Sequence, residues 1–239
     1  ELEGLDAELV EGEADINVGL HSFSIVGLAD KAVSEAKERV NSALKNSGIR
    51  PPTKENRKIT INLAPADIKK VGSRFDLAIA LAYLLASEQI KSFEARDKMF
   101  VGELSLDGGL RSITGALNIA LLAKAKNIKE VFVPNANGKE AAVVRGIKVF
   151  PVKNLTDLIG HLEGLHLIGA LEETKFTPGI TPSIFKMSEV KGHKSAKRAL
   201  AVAAAGSHNV LLSGSPGTGK TMMAQAFASI LPELNLSES

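Results

Sequence analysis

The sequence predicts an α/β fold built around a mixed sheet. Segments that alternate apolar and polar residues, as strands do, are separated along the 239 residues by segments with helical periodicity. A hairpin signal at Asp107-Gly108-Gly109 adds antiparallel pairing to the parallel pairing that this alternation favours. With 44% apolar and 23% charged residues, the chain has enough apolar material to bury a core.

The N-terminal stretch is acidic. The first fifteen residues contain seven acids and no Lys or Arg, and Leu5, Ala7 and Leu9 alternate with polar neighbours. This pattern predicts an edge strand with a solvated acidic face. A second strand is predicted over residues 22–26 and ends at Gly27.

The next predicted element is a helix that runs from an N-cap at Asp30 to about Asn46, with Gly48 beyond its end. Its apolar residues recur at intervals of three and four, which places the following on one face: Val33, Ala36, Val40 and Ala43. The pair Pro51-Pro52 then predicts an extended connection.

The middle of the chain continues the alternation of strands and helices. Residues 58–63 alternate like a strand, 68–73 form a polar loop with a glycine, and 75–87 are apolar on nearly all sides, which predicts a buried helix. Two strand-like runs flank the hairpin turn, at 99–106 and 110–113. The remaining elements are predicted as a helix at 115–126, a strand at 131–133, a helix at 136–144, a strand at 148–152 and a helix at 155–162.

A change of composition separates this region from the C-terminal one. The segment TKFTPGITPSIF holds two prolines, a glycine and three threonines, which is typical of a linker. We therefore predict an N-terminal domain over residues 1–165, a linker over 166–186 with the boundary near residue 175, and the beginning of a second domain over 187–239. The second domain is predicted to contain a helix at 194–205, a strand at 209–212 and a helix from 220 to about 231.

The motif G-x-x-x-x-G-K-T lies between that strand and that last helix. It comprises eight residues that we predict to bind nucleotide phosphates: Gly214, Ser215, Pro216, Gly217, Thr218, Gly219, Lys220 and Thr221. The glycines let backbone N–H groups face an anion, and the following helix directs the positive end of its dipole to the same point. Lys220 supplies a charge for the β and γ phosphates, and the Thr221 hydroxyl is placed to coordinate Mg²⁺.

An accidental glycine-rich turn is the alternative explanation of the motif. The predicted strand before it and helix after it favour binding of ATP with Mg²⁺. Hydrolysis needs further groups, namely an acidic residue on a second strand, a group that positions water and often an arginine. These groups would follow residue 239, so we predict no catalytic residue in this chain and expect ATPase activity only of a longer protein.

Composition excludes several kinds of site. Without Cys, disulfides and thiolate zinc sites cannot form, and one Tyr with no Trp offers few platforms for stacked bases. The longest apolar run, residues 75–86, is shorter than the ~20 residues of a membrane span, and no signal segment is present. We therefore expect a cytoplasmic protein without membrane contact. Because the chain opens on Glu1 and not Met, we expect the natural N-terminus to lie upstream.

Several other charged residues have both a functional and a structural explanation. Asp76 could act as a general acid, but a charge that caps the buried helix explains it better, and Glu103 is expected in a structural ion pair. Basic residues crowd before the P-loop strand: Lys186, Lys191, His193, Lys194, Lys197 and Arg198. They could contact DNA or nucleotide phosphates, or form the solvated face of a helix whose other face holds Ala196, Leu200 and Ala203. The loosely spaced His161 and His166 do not predict a zinc site.

Two groups of segments point to a known family. SFSIVGLADKAVSEAKERVNSALKNSG and ITINLAPADIKKVGSRFDLAIALAYL resemble the N-terminal domain of the magnesium-chelatase-like AAA+ proteins of the YifB/ComM type. VKGHKSAKRALAVAAAGSHNVLLSGSPGTGKTMMA resembles the start of their ATPase module. The resemblance implies an ATPase that assembles as a homo-oligomeric ring, a hexamer, and acts on DNA as a branch-migration helicase in natural transformation. It also implies that Val190 and Gly192 lie near the adenine.

In this family the N-terminal domain is similar to the proteolytic domain of Lon, which implies a ribosomal-S5-domain-2-like fold. Lon-type peptidases use a Ser–Lys dyad. In this sequence the corresponding positions are Arg74, with Ser73 one residue away, and Leu117. A one-residue shift of the alignment would restore Ser73 but no lysine, because none occurs between Val101 and Lys124. We therefore expect no peptidase activity.

Three functional hypotheses result. The first is an ATP-binding AAA+ protein that acts as a DNA motor when full length. The second is that the N-terminal domain is a non-catalytic module for DNA or a partner protein. The third, a Lon-like peptidase, conflicts with the residues at both dyad positions.

Overall fold

The computed structural model describes residues 1–3, 6–54, 56–175 and 185–232. The chain divides into two compact units, Glu1–Lys175 and Phe176–Ser239. The first part of the predicted linker belongs to the first unit, because Leu171 N donates to Val149 O (2.8 Å) and Thr174 N to Ala142 O (2.9 Å). The rest of the predicted linker, 176–184, lies outside the described residues. The limits 1–165, 166–186 and 187–239 stay predictions.

The first unit begins with a mixed sheet. A short antiparallel pair, β1 (Leu2–Glu3) and β2 (Asp6–Ala7), precedes three longer strands: β3 (Glu11–Val18), β4 (Ser22–Val26) and β5 (Arg57–Ala64). The strand order is β3-β5-β4, with β3 antiparallel and β4 parallel to β5. The predicted edge strand is therefore present as β3, with its acids exposed, but it starts at residue 11. Leu5 of the predicted alternation lies outside the described residues.

Helices cover one face of this sheet. They are α1 (Lys31–Ser34), α2 (Ala36–Asn46) and α3 (Asp76–Ala86). The predicted cap is confirmed, because Asp30 Oδ1 accepts from Val33 N at 2.7 Å, and the four residues of the predicted apolar face are fully buried. The predicted single helix is interrupted at Glu35. The predicted extended connection at Pro51-Pro52 is wrong, since Pro52–Lys54 forms a 3₁₀ turn that fits the fixed φ of proline.

A second, parallel sheet follows. Its strands are β6 (Lys98–Phe100), β9 (Glu130–Pro134) and β10 (Lys148–Val152), in the order β10-β9-β6. The predicted hairpin is formed by β7 (Glu103–Leu104) and β8 (Leu110–Arg111), so the predicted strand 99–106 is split. The helices of this part are α4 (Ala116–Ala125), α5 (Gly138–Ala141) and α6 (Leu155–Leu162). The helix predicted at 136–144 is thus shorter than expected.

Two apolar cores hold the first unit together, and β9 contributes to both. Phe132 faces one core while Val131 and Val133 face the other, as expected for the central strand of a parallel sheet that is buried on both faces. Phe132 is stacked between Phe100 and Phe150 of the neighbouring strands, with ring centroids 4.8 Å apart on each side. This cross-strand ladder of aromatic rings fixes the alignment of the three strands.

The described part of the second unit is helical. It contains α7 (Lys194–Ala205) and α8 (Lys220–Phe227), followed by a 3₁₀ turn, Ala228–Ile230. The strand predicted at 209–212 is wrong: these residues join no ladder, and Leu211 is 91% exposed. A strand needs a neighbouring strand for its backbone hydrogen bonds, and residues 185–232 contain no other strand. No helix in the described ranges is long and apolar enough to cross a membrane.

Candidate functional site

The glycine-rich loop lies between the extended residues 209–212 and α8. Gly214, Gly217 and Gly219 have φ angles of 149°, 79° and 74°, in the region that favours glycine over residues with a Cβ. Gly219 is the N-cap residue of α8, so the predicted helix starts at Lys220. The loop is exposed from Gly214 to Thr218, which leaves its backbone accessible to a ligand.

Two side chains hold the loop in its curve. The Lys220 ammonium donates to Gly214 O at 2.9 Å and to Ser215 O at 2.7 Å, so it lies inside the turn that its own backbone forms. The Thr218 hydroxyl donates to Ser215 O at 2.9 Å. Sequence reasoning assigned Thr218 to the motif but did not foresee this bond, since the motif prescribes no residue type at that position.

The N-terminus of α8 is open to an anion. No side chain caps it, and its first turn contains no acidic residue. The first intrahelical bond runs from Met223 N to Gly219 O (2.9 Å), so the amides before Met223 have no partner within the helix. Thr221 is exposed in this first turn. The predicted phosphate-binding residues therefore lie together, and a triphosphate with Mg²⁺ fits this donor set of amides, one ammonium and one hydroxyl.

The basic cluster lies in α7 and in the segment before it. Lys197 Nζ donates to Val190 O, which joins the start of α7 to the preceding turn. Leu200 and Ala203 are buried, as predicted for the apolar face of this helix. Val190, expected near the adenine, is 1% exposed and packs in the core of this unit, so its side chain has no free surface to offer a base.

The positions that correspond to the Lon dyad hold no dyad. The Ser73 hydroxyl donates to Glu103, and Glu103 also pairs with Arg111 at 3.6 Å, which confirms the predicted ion pair of Glu103. Leu117 donates its backbone N–H to Glu140 Oε1 at 3.0 Å, but its side chain cannot accept a proton. Ser73 therefore has a carboxylate partner and no general base of the lysine type.

Asp76 is buried. The prediction that it caps its helix is wrong. Its carboxylate accepts from Arg39 Nε at 2.7 Å and Nη2 at 2.9 Å, and from Leu104 N at 3.1 Å. Burial raises the pKa of Asp76, and the Arg39 guanidinium opposes that rise. Asp76 therefore has a structural role, as predicted, but it fulfils this role by forming a buried ion pair that joins α2 to α3. Sequence reasoning missed Arg39, because residues 37 positions apart show no local pattern.

Two further polar side chains of the first unit, Lys70 and His161, form hydrogen bonds to the backbone. Lys70 is fully buried and donates to Pro65 O, a feature that the sequence did not signal. His161 Nδ1 accepts from Ile168 N at 3.0 Å, and burial lowers the pKa of His161. Within the described residues no cluster of His, Asp or Glu could hold a metal ion. His161 therefore acts as a structural acceptor here.

Comparison with known families assigns both units to one kind of protein. The family described as "Subunit ChlI of Mg-chelatase" matches residues 12–137. The family described as "Magnesium chelatase, subunit ChlI" matches residues 186–239. The first match lies within the first unit, and the second covers residues 186–232 of the described part of the second unit, including the whole glycine-rich loop.

Individual relatives match nearly all of the chain. It is 41% identical to YifB of Escherichia coli over 237 residues and 39% identical to the competence protein ComM of Haemophilus influenzae over 234 residues. These matches cover 99% and 97% of this chain but 46% and 45% of the relatives, so the chain spans less than half of their length. Lon protease of Rhizobium meliloti is 27% identical over 136 residues, which is 55% of this chain and 17% of that protein. The chain belongs to the magnesium-chelatase ChlI-like family of the YifB/ComM type.

Proposed function

We propose that this chain supplies the phosphate-binding half of an AAA+ ATPase and that the longer protein binds ATP with Mg²⁺. The observation that carries the proposal is the convergence of three features at one loop. The Lys220 ammonium, the uncapped N-terminus of α8 and the left-handed glycines all lie within residues 214–223. The ammonium attracts a phosphate by its charge, and the helix N-terminus attracts it by its dipole. The glycines give the phosphate access to backbone N–H groups.

The residues of the loop would divide the work of binding. Lys220 would leave the carbonyls of Gly214 and Ser215 for phosphate oxygens, which accept charge-assisted hydrogen bonds. The free amides at the start of α8 would donate to the same phosphates, and the Thr221 hydroxyl would coordinate Mg²⁺. The bound cation would neutralise charge on the phosphates. Thr218 would keep the Ser215 carbonyl turned away from the anion.

The proposal extends to the biological role by relationship. ComM of Haemophilus influenzae is named a competence protein, and it is 39% identical to this chain. We propose that the longer protein is a cytoplasmic ring-shaped hexamer that moves DNA branches during natural transformation. The first unit would then be a Lon-like, ribosomal-S5-domain-2-like domain without proteolytic activity, in keeping with its relationship to Lon protease and with Leu117 at the lysine position.

The substitution Lys220→Ala tests the nucleotide site. It should abolish ATP binding and turnover by the longer protein, because it removes the one full positive charge of the loop. Lys126→Ala is the control, since it removes an exposed lysine of the first unit, and it should leave both unchanged. Calorimetry with MgATP and a phosphate-release assay measure the outcome. Equal affinity and rate for Lys220→Ala and the parent would refute the proposal.

A second candidate function concerns the first unit alone, as a module that binds a partner protein. The favouring observation is the exposed acidic row on β3, formed by Glu11, Glu13 and Asp15. Such a row repels the phosphate backbone of DNA, so this surface suits a polypeptide better than a nucleic acid. Gel-shift titrations of the chain against duplex and branched DNA test this: binding that weakens when Glu13 is replaced by Lys would contradict it.

A further inference from the structure

A groove of about 450 Å³ lies in the first unit, apart from the glycine-rich loop. Residues 10–12, at the start of β3, form one of its walls, and residues 98–101, along β6, form another. Residues 7–9 and the α4 residues Ile119 and Leu122 also line it. Helix α3 forms the floor, with the small side chains of Ala78 and Ala82. The volume falls within the range of ~300–1,000 Å³ that is usual for ligand pockets.

Both walls are open edges of sheets. Strand β3 pairs only with β5, and β6 pairs only with β9, within the described part of the chain. Each strand contributes consecutive residues to the groove, which an edge does, whereas the face of a strand would contribute every second residue. The groove is therefore flanked by backbone that is available for pairing.

The hydrogen bonds of β6 show which backbone groups face the groove. Asp97 O accepts from Glu130 N at 3.0 Å, and Val101 N donates to Phe132 O at 3.1 Å. In a parallel ladder alternate residues bond the same neighbour, so Phe100, between them, directs its N–H and C=O away from β9. No hydrogen bond from residues 1–3, 6–54 or 56–175 reaches these two groups of Phe100.

A buried donor without a partner lies at the same place. Arg74 lines the groove, and its Nη1 is buried with no hydrogen-bond partner among the described residues. A buried donor without a partner destabilises the folded state, so proteins keep few of them. The Arg74 backbone is fixed next to β6, since Arg74 O accepts from Gly102 N at 3.0 Å. A carbonyl oxygen that entered the groove would satisfy this nitrogen.

The charges around the groove balance. Three acids and three bases line it: Glu1, Glu8, Glu11, Arg74, Arg96 and Lys98. Lys98 is already paired with Asp97 at 3.0 Å and Glu130 at 3.2 Å. The formal charges of the lining residues therefore cancel, and the groove does not attract an anion such as a nucleotide or a fatty acid. Its apolar lining favours a neutral ligand.

We infer that this groove binds an extended, apolar segment of a partner polypeptide by strand addition. The segment would pair with the open edge of β6 at Phe100, place apolar side chains over α3, and give a backbone carbonyl to Arg74. The walls are three and four residues long, so about 10–13 Å of strand would be held at ~3.3 Å per residue. Recognition would rest on backbone hydrogen bonds, with selectivity from the apolar floor.

A blocked peptide with alternating apolar side chains, acetyl-Val-Thr-Val-Thr-Val-amide, is the probe. Calorimetry with the 239-residue chain should give micromolar binding. The same peptide with N-methyl groups on its valines should not bind, because it cannot pair with an edge. Decanoate serves as the alternative ligand, an apolar carboxylate that could use Arg74 without pairing, and it should bind more weakly than the peptide.

Three variants separate the contributions. Arg74→Leu should weaken peptide binding about tenfold, since it removes a charge-assisted donor. Arg96→Leu, which removes an exposed arginine of the same lining, should change it less than twofold. Ala82→Leu should abolish binding by filling the floor, and the near-ultraviolet signal of buried Tyr83 verifies that each variant is folded. Equal binding of the N-methylated peptide, tighter binding of decanoate, or no peptide binding by the folded chain would each overturn the inference.

Discussion

The buried pair between Arg39 and Asp76 makes the sharpest stability prediction. The Asp76 carboxylate is fully buried, and the Arg39 side chain is 19% exposed. Replacing Arg39 by Leu removes both guanidinium hydrogen bonds to the carboxylate and leaves Leu104 N as its remaining hydrogen-bond donor within the described residues. The variant thus retains a buried charge whose counter-ion is gone. We expect the first unit to be strongly destabilised at neutral pH.

The loss of unfolding free energy in Arg39→Leu can be estimated in two ways. Two hydrogen bonds to a charged group at about 1.5–3 kcal/mol each give roughly 3–6 kcal/mol. Removing one partner from buried ion pairs costs about 3–5 kcal/mol in general. The two agree on about 3–5 kcal/mol, which is a large share of the roughly 5–15 kcal/mol that stabilises a domain. The double variant Arg39→Leu/Asp76→Leu should recover most of the loss, because it leaves no buried charge.

The destabilisation should depend on pH in a stated direction. Burial already raises the pKa of Asp76, and loss of Arg39 raises it further. A raised pKa means that the folded state favours the protonated carboxyl, so the contribution of Asp76 to stability is largest in acid and is lost as the pH rises through the folded pKa. The deficit of Arg39→Leu should therefore be largest near pH 7.5 and shrink as the pH approaches 5.

Urea unfolding followed through Tyr83 measures this deficit. Tyr83 is the single tyrosine of the chain and is fully buried in α3, so its signal reports the first unit without interference from the second. Arg111→Leu is the control, since the Arg111 side chain is 68% exposed and its ion pair with Glu103 should contribute less than about 1 kcal/mol. A loss below 1 kcal/mol for Arg39→Leu at pH 7.5 would refute the reasoning.

Three further predictions concern the first unit. Phe132→Ala should cost about 3–5 kcal/mol of unfolding free energy in urea, because it empties the centre of the aromatic ladder; a loss under 1 kcal/mol would contradict this packing. Gly27→Ala should give little folded protein by circular dichroism, since a Cβ would lie 2.1 Å from Leu63 O at a φ of 108°, and a parent-like spectrum would be inconsistent with that contact. The contribution of His161 to stability should fall between pH 7.5 and 5, because burial lowers its pKa and the protonated ring can no longer accept from Ile168 N. Over this range the parent should therefore lose stability relative to His161→Gln, and parallel pH profiles of the two proteins would contradict this role of His161.

Local patterns in the sequence predicted most elements of the first unit. Four predicted segments have the predicted bounds in the structure: β4, β10, α6 and α7. The two helices have apolar residues at helical spacing, and α6 also has a local signal at its start, Asn154, which caps it by accepting from Asp157 N at 2.8 Å. Short-range chemistry decides such elements, so a single sequence suffices to place them.

Long-range partners decided the features that sequence reasoning missed. The buried pair of Arg39 with Asp76 and the orphaned Nη1 of Arg74 exist only because α2, α3 and β6 meet in the fold. The predicted strand 99–106 was split because residues 98–100 pair with β9, whereas Glu103 and Leu104 pair with β8. No local pattern carries this information, since it lies in which strand becomes the neighbour.

The missing strand at 209–212 bears on how the glycine-rich loop should be tested. A phosphate-binding loop is held between a strand and a helix, and here the helical end is formed while the strand end joins no ladder. Leu211 is 91% exposed, and a ladder partner would pair with the backbone of these residues and fix the chain before Gly214. Nucleotide affinity should thus rise when residues 209–212 gain a neighbouring strand. A longer chain that binds MgATP no more tightly than these 239 residues would show that the loop needs no such support.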